Sequence, residues 1–178
     1  MTKIISLIVA CTLDGDIGFN NKIPWYIKED LLKFKNITTY TNDKTKQNAV
    51  IMGSNTYMSL PVKNLKDRVN IVISRTNENN KMYEENNILK FFSIDLALNF
   101  CNNNNKIEKI FIIGGSYLYN YFLKNYNQIY SIYLSIIIDK YYCDTHINIE
   151  NIFKNFKLEK DLHYMNDKYI SYICYNKM

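Results

Sequence analysis

The run Ile4-Ile5-Ser6-Leu7-Ile8-Val9-Ala10-Cys11-Thr12 constrains the fold more than any other stretch. It is short, nearly continuous in apolar residues and rich in isoleucine, with no polar alternation. Such a run suits a strand buried on both faces of a parallel sheet. Comparable runs recur at Ala49–Met52, Val69–Ile73, Lys109–Ile113 and Ile129–Ile138, with a weaker one at Leu89–Phe92. Helical signals lie between them: a stretch from Ile27 to Thr39, Ser54-Asn55-Thr56 ahead of Pro61, Ser93 as an N-cap for Ile94–Asn102, and Tyr117–Leu123. Strands alternating with helices give a parallel α/β sheet. Two further candidate strands, around Phe156–Leu162 and Tyr169–Tyr175, add antiparallel pairing at the C-terminus. The expectation is one domain over residues 1–178, with a mixed, mostly parallel sheet flanked by about four helices.

Composition narrows the function classes. Hydrophobic residues make up 47% and charged residues 22%, the balance of a globular chain. The net charge of +5 is spread over scattered lysines without a consecutive basic tract, which argues against nucleic-acid binding. Mild attraction for anionic small molecules fits better. Cys11, Cys101, Cys143 and Cys174 are far apart and only His146 and His163 could join them, so no metal site is expected. The expected setting is cytoplasmic, with reduced thiols, no secretory leader and no membrane span.

The helix from Ile27 carries one misplaced residue. At about 100° per residue, Ile27, Leu31 and Phe34 share a face, with Ile37 at its edge. Lys28, Lys33 and Lys35 fall elsewhere, and Glu29 can pair with Lys33. Asp30 lies inside the apolar stripe, where a carboxylate is costly unless paired. On this helix alone a first-turn Asp favoured by the helix dipole explains it equally well.

Three strand ends suit phosphate. Ile113-Gly114-Gly115-Ser116 joins a strand to a helix with bare glycine backbone, and Gly53-Ser54-Asn55-Thr56 is a second glycine-led helix start. Ser74-Arg75 ends a third strand with a hydroxyl and a guanidinium. Each has a bland explanation, a tight turn or a surface charge. Open α/β sheets nevertheless bind ligands at strand C-termini, and three such ends together are harder to dismiss.

In order along nearly the whole chain, these residues resemble the dihydrofolate reductase family. The resemblance rests on Ile5–Ala10, Ile17-Gly18, Ile23-Pro24-Trp25, Asp30 with Phe34, and Val50–Gly53 with Thr56. It continues through Arg68–Arg75, Ile112–Ser116 with Tyr119, Ile132–Ser135 and Asp144-Thr145. It implies a mixed eight-stranded sheet and hydride transfer from NADPH to 7,8-dihydrofolate. Asp30 would anchor the pterin and promote N5 protonation, Ser135 would support that carboxylate, and Trp25 would order a nearby water. Ile8, Val9, Ile23, Leu31, Phe34, Leu60, Leu65 and Ile113 would line the substrate, whose glutamate carboxylate would meet Arg68.

For the cofactor, the resemblance implies Ala10, Ile17 and Gly18 at the nicotinamide end and Gly53, Ser54, Asn55 and Thr56 along one helix start. Gly114 and Gly115, joined by a cis peptide, Ser116, Tyr117, Leu118 and Tyr119 would form the other side. Ser74 and Arg75 would receive the 2′-phosphate, although Ser54 stands where many members have a basic residue. Diaminopyrimidine and pteridine antifolates are expected ligands. A monomer is expected, or fusion or association with thymidylate synthase. A non-catalytic folate or nucleotide binder and a pterin or pyrimidine reductase are the rival readings.

Overall fold

The computed structural model describes residues 2–74, 83–85, 87–161 and 166–177. The opening apolar run forms β1 (Ile5–Thr12), followed by β2 (Asp16–Gly18), α1 (Lys28–Thr39), β3 (Gln47–Gly53), α2 (Ser54–Ser59) and β4 (Arg68–Ile73). Next come β5 (Tyr83–Glu85), β6 (Ile88–Phe91), α3 (Ile94–Asn103), β7 (Ile107–Ile112) and α4 (Ser116–Lys124). After a 3-10 turn at Tyr126–Gln128, the chain ends with β8 (Ser131–Ile137), β9 (Thr145–His146), α5 (Ile149–Asn155), β10 (Phe156–Lys160) and β11 (Tyr169–Asn176).

One sheet takes the order β10-β11-β8-β1-β7-β3-β4-β6-β5. The eight expected strands are present, and the three-residue β5 adds a ninth, antiparallel to β6. β1 lies between β7 and β8, parallel to both, so both edges of its Ile-rich run are paired. β3 pairs in parallel with β4 and β7, whereas β11 returns antiparallel to β8. α5 is the helix the sequence pattern passes over: seven residues long, it starts where the Asn148 side chain accepts from Asn151 N–H. The expected cap at Ser93 is in place, its hydroxyl accepting from Leu96 N–H. A separate pairing of β2 with β9 ties the loop after β1 to the loop after β8. The four cysteines are unbridged, and among the described residues no helix is long and apolar enough to cross a membrane.

Strand alternation sorts the core into two layers. Leu7, Val9 and Cys11 face the side covered by α3, α4 and α5, where Ala97, Phe122 and Ile152 are fully buried. Ile8 faces the other side, with Val50, Met52, Phe111 and Ile113, against Phe34 and Ile37 of α1.

The way α1 seats on this second layer departs from the helical-wheel expectation. Leu31 remains 47% exposed, while Lys33 is buried to 1% exposure. The helix is turned so that Asp30 faces the sheet, and Lys33, about 60° round the wheel from Asp30, goes under with it. The Lys33 ammonium donates to Ser135 Oγ at 2.8 Å rather than pairing with Glu29. Burial lowers its pKa to about 8, although Asp30 and Asp161 pull the other way. The far end of α1 is held by Asn48, which is fully buried. Its Nδ2 donates to the carbonyls of Thr38 and Tyr40 at 3.1 and 2.8 Å, and its Oδ1 accepts from Lys109 N–H at 3.2 Å. One side chain thus satisfies orphaned helix-end carbonyls and joins α1 to β3 and β7.

Two outcomes follow for stability. Asn48→Ala leaves those backbone groups unpaired and lowers unfolding free energy by about 2–4 kcal/mol in urea titrations. For Lys33, whose pKa falls from 10.5 to about 8 in the fold, the unfolded chain binds more protons between those pH values. Stability therefore rises with pH across that window. Relative to Lys33→Met, the wild type gains on the order of 3 kcal/mol between pH 8 and 10.5, measured by denaturation at each pH.

Candidate active site

Asp30 stands in the first turn of α1, beneath the carboxyl-end half of β8. Ser135 Oγ donates to Asp30 Oδ1 at 2.5 Å, a charge-assisted length. Burial pushes the carboxyl above the usual aspartate range, while the Ser135 bond and the Lys33 ammonium oppose that shift without cancelling it. A raised carboxyl held by a directed donor suits proton chemistry. The helix-dipole explanation for Asp30 accounts for neither the sheet contact nor the hydroxyl.

Trp25 is buried with Ile27, Ile137 and Tyr169, and its ring lies 5.2 Å from that of Tyr141. Ile8 and Ile113 from the sheet meet Phe34, Leu60 and Leu65 in a single apolar cluster. Ile23 and Leu31 are exposed, at 61% and 47%. Val9 is a correction: it lies in the opposite layer, because neighbours along a strand point to opposite faces, so its side chain cannot reach the Asp30 side. Leu118 is likewise buried in that opposite layer, leaving only its backbone available, and Tyr117 is exposed.

Arg68 opens β4 at the other end of the apolar cluster. Its Nη1 donates to Thr38 Oγ1 at 2.7 Å and its Nε to the Lys66 carbonyl at 3.0 Å. The guanidinium carbon sits 5.7 Å from the Phe34 ring centroid. Among the described residues Nη2 has no hydrogen-bond partner, so part of the fork can receive an anion. Thr38 is a residue the sequence pattern does not single out, although its spacing four residues beyond Phe34 is the available signal.

The glycine-led strand ends converge. Gly53 N–H donates to the Gly114 carbonyl at 2.8 Å, and the Gly114–Gly115 peptide is cis. Gly114 has φ +113°, and a Cβ there would lie 3.0 Å from Tyr119 Cε2. Tyr119 itself is buried and donates to the Ile8 carbonyl at 2.8 Å, pinning α4 to β1. A Cβ on Gly115 would come within 3.1 Å of Thr56 Oγ1, and one on Gly53 within 3.8 Å of Gly115 N. Neither α2 nor α4 has a side-chain cap, so their first-turn N–H groups lack that partner.

Ser54 Oγ donates to the Ile73 carbonyl at 3.1 Å, and Asn55 Nδ2 to Asn21 Oδ1 at 3.2 Å. Ser74 follows β4, with its N–H bonded to the Phe91 carbonyl. Arg75 lies outside the described residues. Ala10 packs beside the Trp25 cluster and Ile17 against the opposite layer. Gly18 accepts from Asp144 N–H at 3.0 Å, and Asp144 Oδ2 accepts from Asn20 N–H at 2.9 Å, which secures the loop beyond β2.

Comparison with known proteins identifies the family. The family model described as dihydrofolate reductase matches residues 4–177. A dihydrofolate reductase of Ureaplasma parvum is 36% identical over 159 residues, covering 88% of this chain and 88% of the relative. The Drosophila melanogaster dihydrofolate reductase is 35% identical, covering 79% of this chain and 76% of its own length. A bifunctional dihydrofolate reductase-thymidylate synthase of Paramecium tetraurelia is 35% identical over 96% of this chain, which spans 33% of that longer relative. On the strength of a match along almost its full length, the chain belongs to the dihydrofolate reductase family.

Proposed function

We propose that this chain reduces 7,8-dihydrofolate to 5,6,7,8-tetrahydrofolate, with NADPH as the hydride source. The observation that carries the reading is the Asp30 carboxyl, raised by burial and bonded to Ser135 on an otherwise apolar helix face. Family membership implies a nicotinamide cofactor, and the chain's own residues fit a dinucleotide. Gly53, Gly114 and Gly115 leave bare backbone where β3 and β7 meet, with Thr56 Oγ1 beside Gly115, and two uncapped helix starts border it. Such N–H groups suit a diphosphate.

The chemistry NADPH supplies when bound is hydride donation. Gly114 and Gly115 admit it close to the sheet, with Ala10, Ile17 and Gly18 at the nicotinamide end. Thr56 and the backbone of Ser116–Leu118 hold the diphosphate. Ser74 and Arg75 receive the 2′-phosphate, while Ser54 brings no charge there and instead ties down the end of β4.

In its ionised form Asp30 accepts from the pterin N3–H and 2-amino group. Because its pKa is raised, it keeps a proton to higher pH than an ordinary aspartate, which suits a group promoting N5 protonation. Its carboxyl does not reach N5 from that pose, so the proton travels by water, ordered beside Trp25, or by enolised substrate. Phe34, Leu60, Leu65, Ile8 and Ile113 wall the ring system and exclude water. Arg68 receives the glutamate α-carboxylate, having already been oriented by Thr38.

Two experiments test this reading. Followed by NADPH oxidation, Asp30→Asn loses roughly 100-fold to 10,000-fold in turnover of dihydrofolate, and its affinity for a protonated diaminopyrimidine falls alongside. Full turnover in a folded variant, or none in the wild type, contradicts the assignment. Arg68→Ala raises KM for dihydrofolate roughly 10-fold to 100-fold with little change in kcat, and Arg68→Lys does not restore it, because the planar fork is lost. The same variants leave KM unchanged for a dihydropterin without the glutamate tail. Equal effects on both substrates favour a pterin reductase.

A further inference from the structure

We propose that Lys33 is a positioning residue for the Asp30 carboxylate. Its buried ammonium commits the Ser135 hydroxyl proton to Asp30, making Lys33, Ser135 and Asp30 a hydrogen-bond chain with one fixed direction. The geometry requires that direction. Lys33 Nζ lies 2.8 Å from Ser135 Oγ, and Ser135 Oγ lies 2.5 Å from Asp30 Oδ1. An ammonium carries three donors and no acceptor, whereas a hydroxyl carries a single proton. Ser135 must accept from the Lys33 ammonium, and its proton goes to the carboxylate, the acceptor 2.5 Å away.

The strand beside Ser135 carries one further buried hydroxyl, which takes no part in this chain. Ser171 on β11 is directly opposite Ser135 on β8, and directly opposed residues share a sheet face. Ser171 is fully buried, and its Oγ has no hydrogen-bond partner among the described residues. The competing acceptor is Lys33 itself: as a neutral amine it offers a lone pair that can take the Ser135 proton away from Asp30.

The charged or titratable groups facing Lys33 are Asp30 on its own helix, Asp161 just past β10, and Cys174 on β11. The Cys174 thiol is pushed up to about 12 by burial, and so is neutral over the working range. Lys33 itself, brought down to about 8 by burial, passes from ammonium to amine within that range. The direction of the chain is therefore pH-dependent, fixed while Asp30 is ionised and Lys33 charged, and released as Lys33 loses its proton.

Only the kinetic consequence of this positioning rests on the reading of Asp30 as the pterin anchor. The test uses the full chain, with 13C-labelled aspartate carboxyls and lysine ε-carbons, Asp30 being assigned from the signal lost in Asp30→Asn. The expected wild-type result is a Lys33 signal titrating near pH 8 and a second inflection of the Asp30 carboxyl signal at the same pH. In Lys33→Met the second inflection disappears and the Asp30 midpoint moves up, because a nearby positive charge has been removed. Lys33→Arg, which keeps the charge, moves it less. An Asp30 signal that ignores Lys33 titration in the wild type overturns the proposal, even if Lys33→Met fails to fold. So do identical Asp30 midpoints in folded wild type and Lys33→Met.

The pH profile of kcat/KM for dihydrofolate provides the separate arm, with its Asp30-dependent midpoint expected to move with the carboxyl signal. If the signals are coupled but the profile is unmoved, the positioning stands and the catalytic role of Asp30 falls. An Asp30-dependent profile without coupled signals leaves the catalytic role standing and removes Lys33 from it.

Discussion

A carboxylate on the buried side of an amphipathic helix has to be compensated, and the seating of α1 follows from that requirement. Asp30 finds a donor in Ser135, and Ser135 is held in turn by the ammonium of Lys33. Breaking such a buried chain at one member strands the others, which makes it a stronger constraint on geometry than on net stability. It fixes the rotation of α1 about its axis, putting Lys33 under and Leu31 out. Asn48 fixes the other end, so the helix can neither roll nor slide without orphaning a buried polar group.

With α1 fixed, the rest of the site is placed by strand direction. β1, β3, β4, β7 and β8 run parallel, so their carboxyl ends gather along one edge. Gly53 and Gly114 meet there by a backbone hydrogen bond, and Tyr119 anchors α4 to β1 just behind them. At the opposite end of the apolar cluster, Thr38 reaches from α1 to orient Arg68 on β4. A raised carboxyl, an apolar wall and a partly engaged guanidinium therefore lie along one face of the sheet. The glycine cradle sits at its edge.

Much of this was legible in the residues. Apolar runs mark the parallel strands, the glycine-led starts mark the ends of β3 and β7, and Asp30 is visible as a carboxylate in the wrong place. Side-chain alternation explains what the motifs leave open. Val9 belongs to the right segment but its side chain to the opposite layer, because a motif names a stretch of backbone while alternation decides which face each residue serves. Lys33 was hidden for another reason. A lysine on a helix reads as solvent-facing, and nothing local reveals that its partner is 102 positions away on β8.

The sequence by itself determined the order of strands and helices, the placement of flexible glycines and the presence of one costly carboxylate. Those are properties of short windows, set by periodicity, backbone freedom and the price of desolvation. Tertiary structure decided the rotation of α1, the partner of Lys33, the pairing of Thr38 with Arg68 and the hydrogen bond of Gly53 to Gly114. Each joins groups separated along the chain, and its energy exists only once packing has excluded water and set the distance. The hydrogen-bond chain through Ser135 belongs wholly to that second kind.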